Sequence, residues 1–138
     1  MLEFNVKMRG KVAAVILINP QRKLLFYLRD NKKSIPYPNT WAMIGGHLKK
    51  GERTLTALKR EVFEEIGIHI KNPILIGKFD DLVGNEVIIY KSKIDVDIKN
   101  LELTEGKKLK YFYLDKFLKI KKVPFPLKNF LKTHKDKI

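Results

Sequence analysis

Apolar residues come in short blocks through the first third of the chain and then switch, at Thr54, to a spacing of three and four. Lys11 to Ile18 and Lys23 to Leu28 are β-branched and aromatic runs separated by Asn19-Pro20-Gln21-Arg22, which predicts a hairpin. Asp30 to Thr40 holds two prolines, two asparagines and several charges, so it reads as a loop. Trp41 to Ile44 reads as a short strand that stops at Gly45-Gly46. From Thr54, Leu55, Leu58, Val62 and Ile66 recur on one helical face, with Thr54 as the expected N-cap and Gly67 as the residue that ends the helix. Ile74 to Phe79, Val87 to Ile94 and Leu109 to Leu114 then predict strands. Asp115 to Ile120 and Leu127 to Lys132 predict short helices set apart by Pro124 and Pro126. Strands around one central helix, with helical pieces at the end, imply a mixed sheet covered by helices on its faces.

Composition narrows the class. At 138 residues the chain suits one domain, residues 1–138, and 44% hydrophobic with 32% charged residues is the mixture of a soluble globular protein. The apolar run from Val12 to Ile18 is far shorter than a membrane span and no small-residue cleavage site follows it, so we expect a cytoplasmic protein with no membrane partner. The absence of cysteine excludes disulfides, thiolate zinc sites and cysteine nucleophiles. A formal net charge of +14 would concentrate polyanions, yet the basic residues are scattered, which favours a solvated lysine-rich surface. The densest basic stretch, Lys107 to Lys137, mixes lysines with Phe125, Phe130 and other apolar residues. It reads as a packed terminal segment rather than a nucleic-acid tail.

The candidate chemistry lies on the helix. Glu61, Glu64 and Glu65 stand at i, i+3 and i+4, so three carboxylates are expected to converge on one face. Like charges at that spacing weaken a helix, a cost that a cation removes. Hard oxygen donors without a histidine pair favour magnesium or manganese over zinc. A Glu-rich helix face is usually only solvated, but this one has context. Gly45-Gly46 can bring backbone N–H groups close to an anion, and the loop from His47 to Arg53 leads directly into the carboxylate helix.

Gly46, Glu52 and the run Arg60-Glu61-Val62-Phe63-Glu64-Glu65-Ile66-Gly67-Ile68 stand at the spacing of the Nudix box, and the segment resembles that signature of the Nudix hydrolases at every fixed position. The residue before Gly45, often proline in the family, is Ile44 here. The resemblance implies an α/β/α sandwich with a mixed central sheet. It also implies Mg2+-dependent hydrolysis, with Mn2+ as a substitute, of a nucleoside diphosphate linked to another group. Glu61, Glu64 and Glu65 would be metal ligands, Arg60 and Glu52 an orienting ion pair, and Gly46 would serve the loop geometry. Family members are often dimers, so a homodimer is among the implied assemblies.

The run from Glu105 to Phe112 resembles a later family segment whose glutamate approaches the metal cluster, which makes Glu105 a candidate base beside Glu61. Asp80 and Asp81 are lower-ranked contributors. His47 is expected to bond locally, and no histidine is assigned to catalysis. Trp41, Phe79, Tyr111 and Phe112 are candidates for a base-stacking wall, and Arg29, Lys32 and Lys33 for phosphate contacts. The expected substrate is a small nucleotide, such as a nucleoside triphosphate, nucleotide sugar or dinucleoside polyphosphate. An RNA 5′ end is less favoured because no separate RNA-binding segment is visible. A silent nucleotide-sensing domain and an RNA-binding or RNA-processing protein are the alternatives; none of the acids is missing, and only the charge supports RNA.

Overall fold

A computed structural model describes residues 10–138. Its elements in chain order are β1 (Gly10–Ile18), β2 (Leu24–Leu28), β3 (Trp41–Ala42), β4 (Ile44–His47), α1 (Thr54–Ile66), β5 (Ile74–Asp80), β6 (Asn85–Lys93), β7 (Lys108–Phe112), α2 (Leu114–Phe117) and α3 (Phe125–Thr133). The strands form one mixed seven-stranded sheet ordered β3-β2-β1-β6-β5, with β4 also on β1 and β7 on β2.

Strand β1 organises the molecule. β6 runs parallel to it along its whole length, from Gly10 opposite Asn85 to Ile18 opposite Lys93. Its other edge is shared: β4 takes the first half, with Ala13 opposite Gly46 and Ala14 opposite Gly45, and β2 takes the end, with Leu17 opposite Leu25. A strand covered on both faces reads as a continuous apolar run, and β1 does. Ala13, Val15 and Leu17 pack with Leu25 and Tyr27 against Ala57, Leu58, Val62 and Ile66 of α1. Ala14, Ile16 and Ile18 pack with Leu24 and Phe26 against Phe117 of α2 and Leu127, Phe130 and Leu131 of α3. Helix α1 thus covers one face and the two later helices the other, which is the expected α/β/α sandwich. The last segment is packed, as anticipated: Phe130, Leu131 and Ile138 are buried.

Several local expectations change. The N-cap of α1 is Arg53 in extended conformation, with no side-chain cap, and Thr54 is already helical. Leu55 is 44% exposed rather than part of the buried stripe. Gly67 does end the helix, at φ 75°, with its N–H bonded to the Phe63 carbonyl, a left-handed position where glycine carries no Cβ penalty. The chain does not stop at Gly45-Gly46. It breaks at Met43 between β3 and β4, and both glycines continue β4, where Gly45 lies too close to β1 for a side chain. A Cβ on Gly45 would stand 2.2 Å from the Ala13 carbonyl oxygen. β5 runs one residue further, to Asp80, while β6 begins at Asn85 and ends at Lys93, and β7 spans Lys108–Phe112. Helix α2 begins and ends earlier than expected, and α3 begins at Phe125 with Pro126 in its first turn, where a missing N–H costs nothing. Among the described residues no helix is long and apolar enough to cross a membrane.

Candidate active site

The loop into α1 is tied by its own acid. Glu52 accepts the Lys49 N–H at 2.9 Å, and its backbone N–H bonds the Lys49 carbonyl. One turn and a half into the helix, Arg60 donates from Nε to Glu52 Oε2 at 2.8 Å and from Nη2 to Glu52 Oε1 at 2.9 Å. The same guanidinium reaches Glu61 at 2.9 Å, Glu64 at 3.2 Å and the His47 carbonyl at 3.2 Å. Arg60 therefore fastens strand, loop and helix at one point. The hydrogen bonds from Arg60 and the Lys49 N–H hold the Glu52 carboxyl down at about 2, and Glu52 in turn pushes Arg60 above its ordinary value.

The three helix acids meet different fates. Glu61 lies directly under β4, where a Cβ on Gly46 would stand 2.4 Å from its Cδ. Glu65 is only 5% exposed and accepts the Gly45 N–H at 3.1 Å. Burial, then a hydrogen bond to Glu105 and the Glu105 and Glu61 charges, push its pKa up to about 9, against the lowering effect of Gly45. Glu64 is half exposed and turned to Arg60. Glu61 and Glu65 thus face β4 while Glu64 turns to Arg60; among the described residues, no group of three acidic or histidine side chains is already set to hold a metal ion. At the expected anion corner, Gly45-Gly46, the Gly45 N–H serves Glu65.

Glu105 reaches the site through long-range ties. Thr104 bonds the last turn of α1, N–H to the Glu65 carbonyl at 3.0 Å and hydroxyl to the Glu64 carbonyl at 3.1 Å. Gly106 lies so close to the Tyr27 ring that a Cβ would stand 2.7 Å from it, and the Lys107 N–H bonds the Leu28 carbonyl. Tyr27 itself was not a sequence candidate. It is buried, accepts a hydrogen bond from Arg29 Nη1 at 3.1 Å, and has its hydroxyl pushed up to about 12 by burial. No local pattern marks it, because its neighbours come from α1 and from the Glu105 loop.

Of these groups, Tyr27, Glu61, Glu65 and Glu105 line a cleft of about 520 Å³. Trp41, Phe79, Val87, Pro124 and Leu127 give it apolar wall. Of the aromatic candidates, Trp41 and Phe79 stand in the wall. Phe112 is in the core against Phe26 and Phe117, and Tyr111 donates its hydroxyl to the Val96 carbonyl away from the cleft. Arg29 lines the cleft; Lys32 and Lys33 do not, and Lys32 lies 4.0 Å from Asp30.

Asp81 lines the wall where Asp80 does not. Its carboxylate accepts the N–H groups of Val83 and Asn85 and the Asn85 side-chain amide. That orients Asn85 with Oδ1 toward His47 Nε2 at 3.2 Å. Since Oδ1 can only accept, His47 must carry its proton on Nε2. The local role expected for His47 is what is found.

A family profile for the NUDIX domain matches residues 8–133. In sequence the chain is 36% identical over 95 residues to an RNA pyrophosphohydrolase of Pelagibacter ubique (strain HTCC1062), which covers 64% of this chain and 56% of that protein. It is 33% identical over 60 residues to the m7GpppN-mRNA hydrolase NUDT17 of Xenopus laevis, covering 44% of this chain and 20% of that one. The chain thus spans little more than half of one curated relative and a fifth of the other. In structure it resembles the MutT protein from Methanosarcina mazei Go1, with a TM-score of 0.79 at 21% identity over 93% of this chain and 94% of that one. With the family profile covering nearly its whole length, the chain belongs to the NUDIX domain family.

Proposed function

We propose that this chain hydrolyses a pyrophosphate bond in a nucleoside diphosphate joined to another group. The observation that carries the reading is Glu65: a carboxyl buried beside Glu61 and Glu105, in a cleft that Trp41 and Phe79 also line. A buried acid costs stability unless it is partnered or put to use. Phosphates would lie among these acids and the base between Trp41 and Phe79. Both relatives act, by name, on RNA-linked substrates, so the group carrying the bond is either a free nucleotide or an RNA 5′ end.

The donor set fits a hard divalent cation, since carboxylate oxygens are its preferred ligands and a cation would displace the proton held by Glu65. Glu61 and Glu65 would hold Mg2+ or Mn2+, joined by Glu64 once it swings from Arg60. Bound there, the ion supplies charge neutralisation on the phosphate oxygens. Arg60 fixes the carboxylates before substrate arrives, so little reorganisation is needed during the reaction. Glu105, on a loop pinned at Thr104 and Gly106, takes a proton from the attacking water, with Glu61 as the other candidate. Water oxygen bonds to phosphorus as the bridging P–O bond breaks, and the leaving phosphate departs with that electron pair. Arg29 supplies positive charge to the phosphates from the cleft wall.

The test is a substrate panel with Mg2+ and Mn2+, scoring release of pyrophosphate, phosphate or nucleoside monophosphate. Glu64→Gln should abolish most metal-dependent turnover with the fold intact; near-normal turnover would remove the metal-site assignment. No turnover of any substrate by the unaltered protein would leave a binding domain.

A further inference from the structure

Phe125 and Leu82, 73% and 70% exposed, are the two most exposed large hydrophobic residues among those described. Neither is scattered at random. Phe125 sits between Pro124 and Pro126, and Leu82 between Asp81 and Val83, and all four of those neighbours line the cleft. The ring of Phe125 stands away from the buried side of α3, which is formed by Leu127, Phe130 and Leu131. Packing gives no reason for an aromatic residue there.

Lysines gather beside Trp41, another residue of the cleft wall. The Trp41 N–H bonds the Lys122 carbonyl at 2.8 Å, Lys108 Nζ lies 5.8 Å from the centre of the Trp41 ring, and Lys107 Nζ bonds Asn39 at 3.1 Å. Lys107, Lys108, Lys121 and Lys122 are all exposed, and residues 107–124 hold seven lysines against one acid, Asp115. Acids and Arg29 thus line the cleft, while exposed lysines stand beside Trp41 at its wall. A free nucleotide with its phosphates among the acids brings no second phosphate to these lysines and no second base to Phe125. A nucleotide linked to its 3′ side would meet both. An exposed aromatic ring flanked by lysines is how single strands are held without sequence preference, bases stacking while cations follow the phosphates. The cleft volume of about 520 Å³ suits one small ligand, so further nucleotides must lie outside.

We propose that the rim formed by Phe125, Lys108, Lys121 and Lys122 binds the second and following nucleotides of a single-stranded RNA whose 5′ end occupies the cleft. The proposal rests on the hydrolase reading above for what happens at that end, and the experiment keeps the two apart. Binding of a ten-nucleotide RNA with a 5′-monophosphate and a 3′ fluorophore is measured by anisotropy in EDTA, for the unaltered protein, Phe125→Ala and the pair Lys121→Gln with Lys122→Gln. In parallel, kcat/KM with Mg2+ is compared between GTP and the 5′-triphosphorylated RNA. Phe125→Ala should raise Kd by about fivefold or more, the lower bound for losing one stacked base. The lysine pair should flatten the log–log salt slope by about 1.4, the release expected for two single-strand phosphates. The RNA should exceed GTP in kcat/KM, and Phe125→Ala should lower that ratio. Unchanged Kd in both variants, or GTP turned over as well as the RNA, would overturn the proposal and leave hydrolysis standing. No turnover of either substrate would overturn the hydrolase reading, while the anisotropy series would still decide the RNA surface.

Discussion

Arg60 and Glu52, eight residues apart, meet through two parallel hydrogen bonds of 2.8 and 2.9 Å, and the remaining donors of the same guanidinium reach Glu61, Glu64 and the His47 carbonyl. One planar fork thus sets the geometry of the helix acids. Lysine keeps the charge and loses the fork. Arg60→Lys should lower turnover and apparent metal affinity by about 10- to 100-fold, the usual range for groups that orient metal ligands. Thermal melting should move less than turnover does, because lysine keeps the charge beside the part-buried Glu52 carboxylate. Steady-state kinetics over a metal titration checks this, and unchanged metal dependence would refute an orienting role.

Glycines 45 and 46 are adjacent in sequence and differ in what they press against. A Cβ at Gly45 meets the backbone of Ala13, which cannot move; one at Gly46 meets the Glu61 carboxylate, which can. Gly45→Ala should therefore lose stability, by about 1–3 kcal/mol as for other overpacked positions, and show it as a lower Tm. Gly46→Ala should fold and lose activity by about 100-fold, the scale for displacing a catalytic group by an ångström. Melting curves and turnover on the two variants separate these outcomes.

The long, periodic features were legible in the chain. The stripe Leu58, Val62 and Ile66, the stop at Gly67 and the fixed spacings of the box are local, and each appeared where expected. What escaped were consequences of contacts made far along the chain. The Gly45-Gly46 pair reads as a break until β1 is seen passing within 2.2 Å of where a side chain would be. Tyr27 looks like any strand aromatic until Gly106 is laid on its ring. The partners of Glu64 and Glu65 are equally hidden: helix spacing turns neighbouring residues apart, but only the fold shows that one meets Arg60 and the other the Gly45 N–H. The rim lysines are scattered in sequence and are collected only when the segment ending at Val123 docks beside Trp41.

Glu65 gives a pH signature. Its pKa stands at about 9, mainly through burial, against an ordinary value of 4.5. Above 4.5 the unfolded chain has already lost this proton while the folded chain keeps it. The stabilising contribution is therefore full below about pH 4.5 and is lost as pH rises through about 9. In EDTA, Tm should fall between about pH 5 and pH 9, and Glu65→Gln should remove this part of the slope. A divalent cation must displace the proton, so its apparent affinity should rise by about tenfold per pH unit over the same window. Calorimetry in two buffers of different ionisation enthalpy would register the released proton; no buffer dependence would refute the linkage.

Tyr37 ties two segments of the cleft wall together. Its hydroxyl accepts the Leu82 N–H at 2.6 Å, joining the loop after β2 to the β5–β6 turn across 45 residues of sequence. Both segments line the cleft, Tyr37 on one and Asp81 and Val83 on the other. Tyr37→Phe keeps the ring and removes the acceptor. One such bond is worth about 1 kcal/mol net, or about fivefold in an equilibrium. If the tie holds the bound state, KM should rise by about that factor while kcat is unchanged or increased, because a looser wall releases product no more slowly. Limited proteolysis should cut the 30–40 loop faster in the variant, and substrate should protect it less. Equal KM and equal cleavage rates in both proteins would show that the bond is structural and has no part in admitting substrate.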